Sequence, residues 1–160
     1  DANLRRASVF VENTARLFAD WSQSYLPRPN ELPPADQKLC HSVGGDPNIF
    51  YYHSYFELAG DEALVIDVER IPECLSWNLQ VDNYWMESLD YRYHTIHVNK
   101  YTAVHRPDGS VRIVIAGRDP GVPNWLDTAG HRNGTLCFRW IGAAEIVHPT
   151  ARVMKIAELG

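Results

Sequence analysis

"LSWNLQVDN", residues 75–83, alternates along its length: Trp77, Leu79 and Val81 fall on one side, Asn78, Gln80 and Asp82 on the other. Successive side chains of an extended strand point to opposite faces, so a period of two predicts a half-buried strand. The reading extends outward to "NIFYYHSYFEL" (48–58), "EALVIDVERI" (62–71), "YHTIHVNKYTAVH" (93–105), "SVRIVIAG" (110–117) and "TLCFRWIGA" (135–143). All are aromatic and β-branched runs bounded by turn residues. Asp108-Gly109 in "HRPDGSVR" predicts a hairpin turn between two of them. Strands so closely spaced, with no helix between, indicate an antiparallel sandwich or barrel. The C-terminal "HPTARVMKIAELG" fits a last strand or a short helix equally well.

Upstream the period changes. Leu4, Ala7, Val11, Thr14, Phe18, Trp21 and Tyr25 recur in steps of three and four, one face of a helix over residues 3–26, which Pro27 and Pro29 stop. "PRPNELPPAD" (27–36) then reads as an extended connector. The chain thus divides into a helix (1–26), a Pro-rich connector (27–47) and a β domain (48–160).

Composition narrows the function classes. A chain of 160 residues with 45% hydrophobic and 22% charged residues suits one globular domain. The net charge of -5, with scattered basic residues, argues against nucleic acid. No apolar run is long enough for a membrane span. Three dispersed cysteines, Cys40, Cys74 and Cys137, suggest reduced thiols and a cytoplasmic setting. The chain opens on Asp1 rather than Met, as a piece of a longer protein would.

Recognised catalytic signatures are missing. There is no glycine-rich phosphate loop, no Gly-x-Ser-x-Gly elbow and no local cysteine-nucleophile motif. His94 and His97 differ by an odd number, so a regular strand sends them to opposite faces. We therefore expect no metal and no cofactor. The 93–105 alternation does gather His97, Asn99 and Tyr101 on one face, either the solvated side of a sheet or the wall of a pocket.

The order of the C-terminal half carries a resemblance. "PECLSWNLQVDN", an Asp108-Gly109-Ser110 turn, the loop "DPGVPNWLDTAGH" with Asn124, Trp125 and Leu126, and the closing strand "LCFRWIG" with Arg139 and Trp140 follow one another. This series resembles the domain-of-unknown-function twelve-fourteen family over about residues 55–143. Asp127 stands where that family usually has proline, and Trp140 either replaces its usual leucine or takes the aromatic position one step early. The resemblance implies a mainly β fold, an antiparallel jelly-roll-like β-sandwich, often the C-terminal part of a longer protein. It implies no established activity.

Two functional readings follow. The first is a binding or assembly module, its helix seam docking on the upstream part of the longer protein or on a second copy. The second is a metal-independent enzyme for a small organic substrate, an anionic one included, with His97, His131 and Asp119 as candidate acid–base groups. Candidate ligand contacts are Asn99, Tyr101, Arg118, Asn124, Trp125 and Arg139. The alternative for the 118–131 loop is structural, with Trp125 plugging one end of the sandwich and Asn124 satisfying loop amides.

Overall fold

A computed structural model describes residues 2–159. Helix α1 (Ala2–Tyr25) and the short α2 (Gln37–Ser42) precede eight strands: β1 (Ile49–Glu57), β2 (Glu62–Val68), β3 (Ser76–Asp82), β4 (His97–Asn99), β5 (Val111–Ala116), β6 (Trp125–Asp127), β7 (Asn133–Ile141) and β8 (Thr150–Lys155). A 3-10 turn over Ile156–Glu158 ends the described chain. The strands form two four-stranded sheets, β1-β7-β3-β4 and β6-β5-β2-β8. The fold is a β-sandwich with one long N-terminal helix.

The alternating apolar residues meet between the sheets. From the first come Tyr52, Phe56, Trp77, Leu79, Val81, Phe138 and Trp140, and from the second Leu64, Ile66, Ile113, Ile115 and Leu126, in one buried cluster. Trp77 lies 5.9 Å from Phe138 and 6.2 Å from Trp140 between ring centroids, and Phe138 lies 4.9 Å from Trp140. Such offset and edge-on pairs add to the area they bury.

The structure departs from the sequence reading at four places. The predicted 93–105 strand shrinks to β4, because the Asn99 side chain accepts from the Tyr101 and Thr102 amides, at 2.9 and 3.2 Å, and turns the chain. Asp108-Gly109 is a tight turn, Gly109 N–H donating to Arg106 O at 2.9 Å, but it joins β4 to β5 across the two sheets rather than closing a hairpin. Pairing is not antiparallel throughout, since β6 runs parallel to β5 with Val114 opposite Trp125 and Ala116 opposite Asp127. Finally, the connector is no free linker. Asn30 and Ala35 N–H donate to Tyr55 O and Tyr51 O, and the Gln37 amide group pairs with the Tyr51 backbone. Residues 30–37 therefore close the open edge of β1, which would otherwise present unpaired backbone.

Helix α1 lies on the outer face of the first sheet by its C-terminal end. Trp21 and Tyr25 stack on His53 of β1, and buried Ser22 donates its hydroxyl to Tyr84 O. Its N-terminal half keeps the apolar seam uncovered, with Leu4 71%, Phe10 70% and Val11 65% exposed.

Gly134 of β7 makes a sharp test of this packing. A Cβ there would sit 2.3 Å from Asp82 O and 2.7 Å from the Phe56 ring, with backbone on one side and core on the other. We expect Gly134→Ala to destabilise by about 2 kcal/mol, the scale of an overpacked core. Gly60→Ala, with open space around it, should change little, and paired thermal melts check both.

Candidate functional site

Because β3, β4 and β7 are neighbours, residues of equal parity lie side by side on the outer face of the first sheet. Asn78 stands opposite both Arg139 and Asn99, and Gln80 opposite His97. These side chains, with Ser76 and Tyr101, line a groove of about 320 Å³ beside the footprint of α1. Arg139 donates to Asn78 Oδ1 at 3.1 Å. The structure thus gathers His97, Asn99, Tyr101 and Arg139 from the sequence candidates. His97 and Tyr101 are exposed, and the Asn99 side chain is committed to its own turn.

The loop candidates lie elsewhere. Asp119 Oδ1 accepts from Gly121 N–H at 2.8 Å and shapes its own turn. Arg118 is exposed, and its charge makes only a minor contribution to the lowered carboxyl of Asp61, the residue before β2. His131 is exposed and ends the turn that closes on Thr128 O. Among the described residues, no hydrogen bond joins His97, His131 and Asp119. The acid–base trio imagined from the sequence is not assembled, because its members sit on separate exposed surfaces, whereas sheet register gathered Asn99 and Arg139 and the turn after β4 added Tyr101.

Asn124 and Trp125 have definite structural work. Asn124 takes the left-handed conformation, φ 56°, and its side chain is fully used: Oδ1 accepts from Val104 N–H at 2.7 Å, and Nδ2 donates to Val104 O and Arg112 O at 2.8 and 2.9 Å. It pins the segment before β5 to the return into β6. Trp125 is half-buried and donates Nε1–H to Ala116 O at 3.1 Å. It packs with Ala63, Val65, Val114 and Ala116 on the outside of the second sheet. The interior position anticipated for it belongs to Leu126.

Two charged arrangements escaped the sequence reading. His94 Nδ1 meets Asp127 Oδ2 at 2.7 Å, so the aspartate that replaces proline in the resemblance anchors a histidine. On the second sheet, Asp67 receives Arg112 in a two-bond pair at 2.7 and 3.0 Å, Arg152 at 2.5 Å and Arg106 at 3.5 Å. Burial alone would raise the Asp67 carboxyl, but hydrogen bonds from Arg112 and Arg152 outweigh it and hold it below the ordinary carboxylate range. The signal was the outward parity of Asp67 and Arg112, visible only once their strands are paired in register.

Under α1, Tyr51 and Tyr25 flank the His53 ring in near-parallel stacking, and its Nδ1 is buried without a hydrogen-bond partner. Burial first and the Arg139 charge second push its pKa down from 6.5 to about 4. Cys137, opposite it on β7, has its thiol pushed up to about 12 by burial, an inert group at neutral pH. The described cysteines are all free, and no three His, Cys, Asp or Glu side chains among the described residues gather as a metal requires.

No family model and no curated protein matches the chain. An uncharacterised protein from Burkholderia cenocepacia, known from its crystal structure, is 62% identical over 96% of this chain, with a TM-score of 0.94. The chain spans 43% of that protein's length. The VPA0106 protein from Vibrio parahaemolyticus shares the fold alone, at TM-score 0.53 and 17% identity over 71% of this chain and 33% of its own.

Two measurements follow. Asn124→Ala removes three hydrogen bonds, two of them exposed to solvent, and should cost about 2 kcal/mol in denaturant unfolding. Asn124→Gly relieves the backbone angle but not those losses, so it should fall nearly as far. For His53, the unfolded chain takes up a proton as pH falls below 6.5, whereas the folded chain resists until about 4. Stability present above 6.5 is therefore lost across that window, by about 3 kcal/mol. His53→Leu should flatten this stretch of the stability–pH curve relative to the parent.

Proposed function

We propose that this β-sandwich is a docking module within a longer protein, and that the free seam of α1 seats on the remainder of that chain. The carrying observation is a helix anchored at one end and apolar at the other. Trp21, Ser22 and Tyr25 hold it to the first sheet, while Leu4, Phe10 and Val11 stay open to water. Scattered apolar side chains on a surface need no explanation, but a seam at helical spacing does. It continues into a hollow of about 460 Å³ between Phe10, Phe18 and exposed Trp85. The occupant is argued from length: the Burkholderia protein aligns with this chain over less than half of itself, so more than half of that protein lies outside the match.

We propose as well that the chain is akin to the domain-of-unknown-function twelve-fourteen family and that its winding is of the jelly-roll type. Two sheets of four strands, with the chain passing between sheets at most connections, support that winding. A cytoplasmic site of action is supported by the free cysteines. Among the described residues, no helix is long and apolar enough to cross a membrane.

The test mixes this 160-residue chain with the unmatched part of the Burkholderia protein, made as a separate polypeptide, in sedimentation velocity runs. Docking predicts a one-to-one complex, weakened about tenfold or more by Phe10→Glu with Val11→Glu, which strip the seam's centre. A homodimer lost in the same variant would replace the remainder of the chain with a second copy and overturn the assignment. An unmixed monomer at every concentration would overturn docking altogether.

A further inference from the structure

The outer face of the second sheet carries a cavity of about 340 Å³ that no function above uses. Its floor and one wall are apolar: Val114 of β5, Val122 and Pro123 of the loop, Val104, and Leu159 from the C-terminal turn. Arg106 and Arg112, with His105 and Pro107, complete the lining. The volume falls within the range of small-molecule sites, and the composition, apolar with a few polar groups, is theirs as well.

The guanidiniums are unequally engaged. Arg112 gives Nε and one Nη to Asp67 in a close pair, and Arg152 approaches the same carboxylate from β8. Arg106 touches it only at 3.5 Å, through a single Nη1. Three guanidiniums around one carboxylate leave an excess of two positive charges, and Arg106 keeps most of its fork of donors unspent. A planar fork with free N–H groups matches a carboxylate with two parallel bonds. Asn124, although it lines the cavity, has its amide fully committed to backbone and adds shape rather than a contact. The loop that forms the apolar wall is held by that residue, so the cavity is built by the fold.

We infer that this cavity binds a small organic monocarboxylate, its carboxylate on Arg106 and its apolar body against Val114, Val122 and Leu159. The apolar wall selects against a strongly hydrated anion, because burying a charge without full pairing is costly. A neutral molecule of the same shape would leave the Arg106 fork unmatched. Both halves of the ligand are therefore needed.

Hexanoate, hexanol and inorganic phosphate serve as probes in titrations followed by backbone amide NMR. Hexanoate should shift the amides of Val104, Val114, Val122 and Leu159 saturably, whereas hexanol and phosphate should bind about tenfold more weakly or not at all. Arg106→Ala should weaken hexanoate about tenfold with little change in the melting temperature, because its contact with Asp67 is long. Arg106→Lys should recover only part of that affinity, since a point charge does not reproduce the fork. Phosphate binding as tightly as hexanoate would overturn the proposal in favour of a charge-only surface. So would an unchanged hexanoate affinity in Arg106→Ala, or shifts confined to the outer face of the first sheet.

Discussion

Two stacked sheets have a single interior, and here an aromatic group fills much of it. Trp77, Phe138, Trp140 and Tyr52 come from three neighbouring strands of the first sheet and are fully buried. Rings of this size set the spacing of the sheets, because a core at crystal-like density leaves no slack for their removal. They also fix the parity of β1, β3 and β7. Once Trp77 faces inward, Asn78 and Gln80 must face out, and a slip of one residue would invert the set. The polar strand residues considered as functional therefore lie on outer faces, and for them the question of function becomes one of what covers each face.

The two outer faces have been solved differently. On the first sheet, α1 covers the β1 side, the 30–37 segment closes the edge, and the remaining groove is polar and partly spent on itself: Arg139 on Asn78, Gln80 on Asp82, Asn99 on its own turn. On the second sheet, a small apolar cluster around Val65, Val114 and Trp125 spreads outward, and an arginine-rich ion network lies beside it. The network is half-exposed, so its worth for stability is modest. Its importance is positional. By anchoring Arg112 and Arg152, Asp67 lets three like charges stand together without forcing the strands apart.

How much of this was legible in the sequence depended on the range of the interaction. Alternation in 75–83, the β-branched run of 110–117 and the three–four spacing of α1 are local, and they read correctly because burial acts on each residue by itself. The parallel return through 117–124 was hidden, since what directs it is Asn124 bonding to Val104 and Arg112, partners fixed only by tertiary structure. The same holds for the Asp108-Gly109 turn: its tightness is local and was legible, whereas which sheets it joins is not. The face of His97 and Asn99 was recovered because parity is local, Tyr101 reached the same groove through the turn after β4, and Arg139 joined it from a strand far along the chain. Asp67 with its arginines stayed invisible, for its geometry exists only after β2, β5 and β8 are set in register.

The arrangement of the faces bears on how one domain would combine docking with ligand binding. Helix α1 lies on the first sheet, and the arginine-lined cavity opens on the second, with the aromatic core between. A partner seated on Leu4, Phe10 and Val11 would extend the surface already begun by Trp21 and Tyr25, so it would bury apolar area on the helix side and leave Arg106 open to solvent. Coupling between the two sites would have to pass through a densely packed interior, which transmits displacement only where an element has two arrangements. The Asn124 staple argues against such an element at the cavity wall, because its three hydrogen bonds would all break in any alternative path for the loop. The two sites are thus expected to act independently, the helix fixing where the domain sits and the cavity presenting the same shape whether or not the helix is engaged.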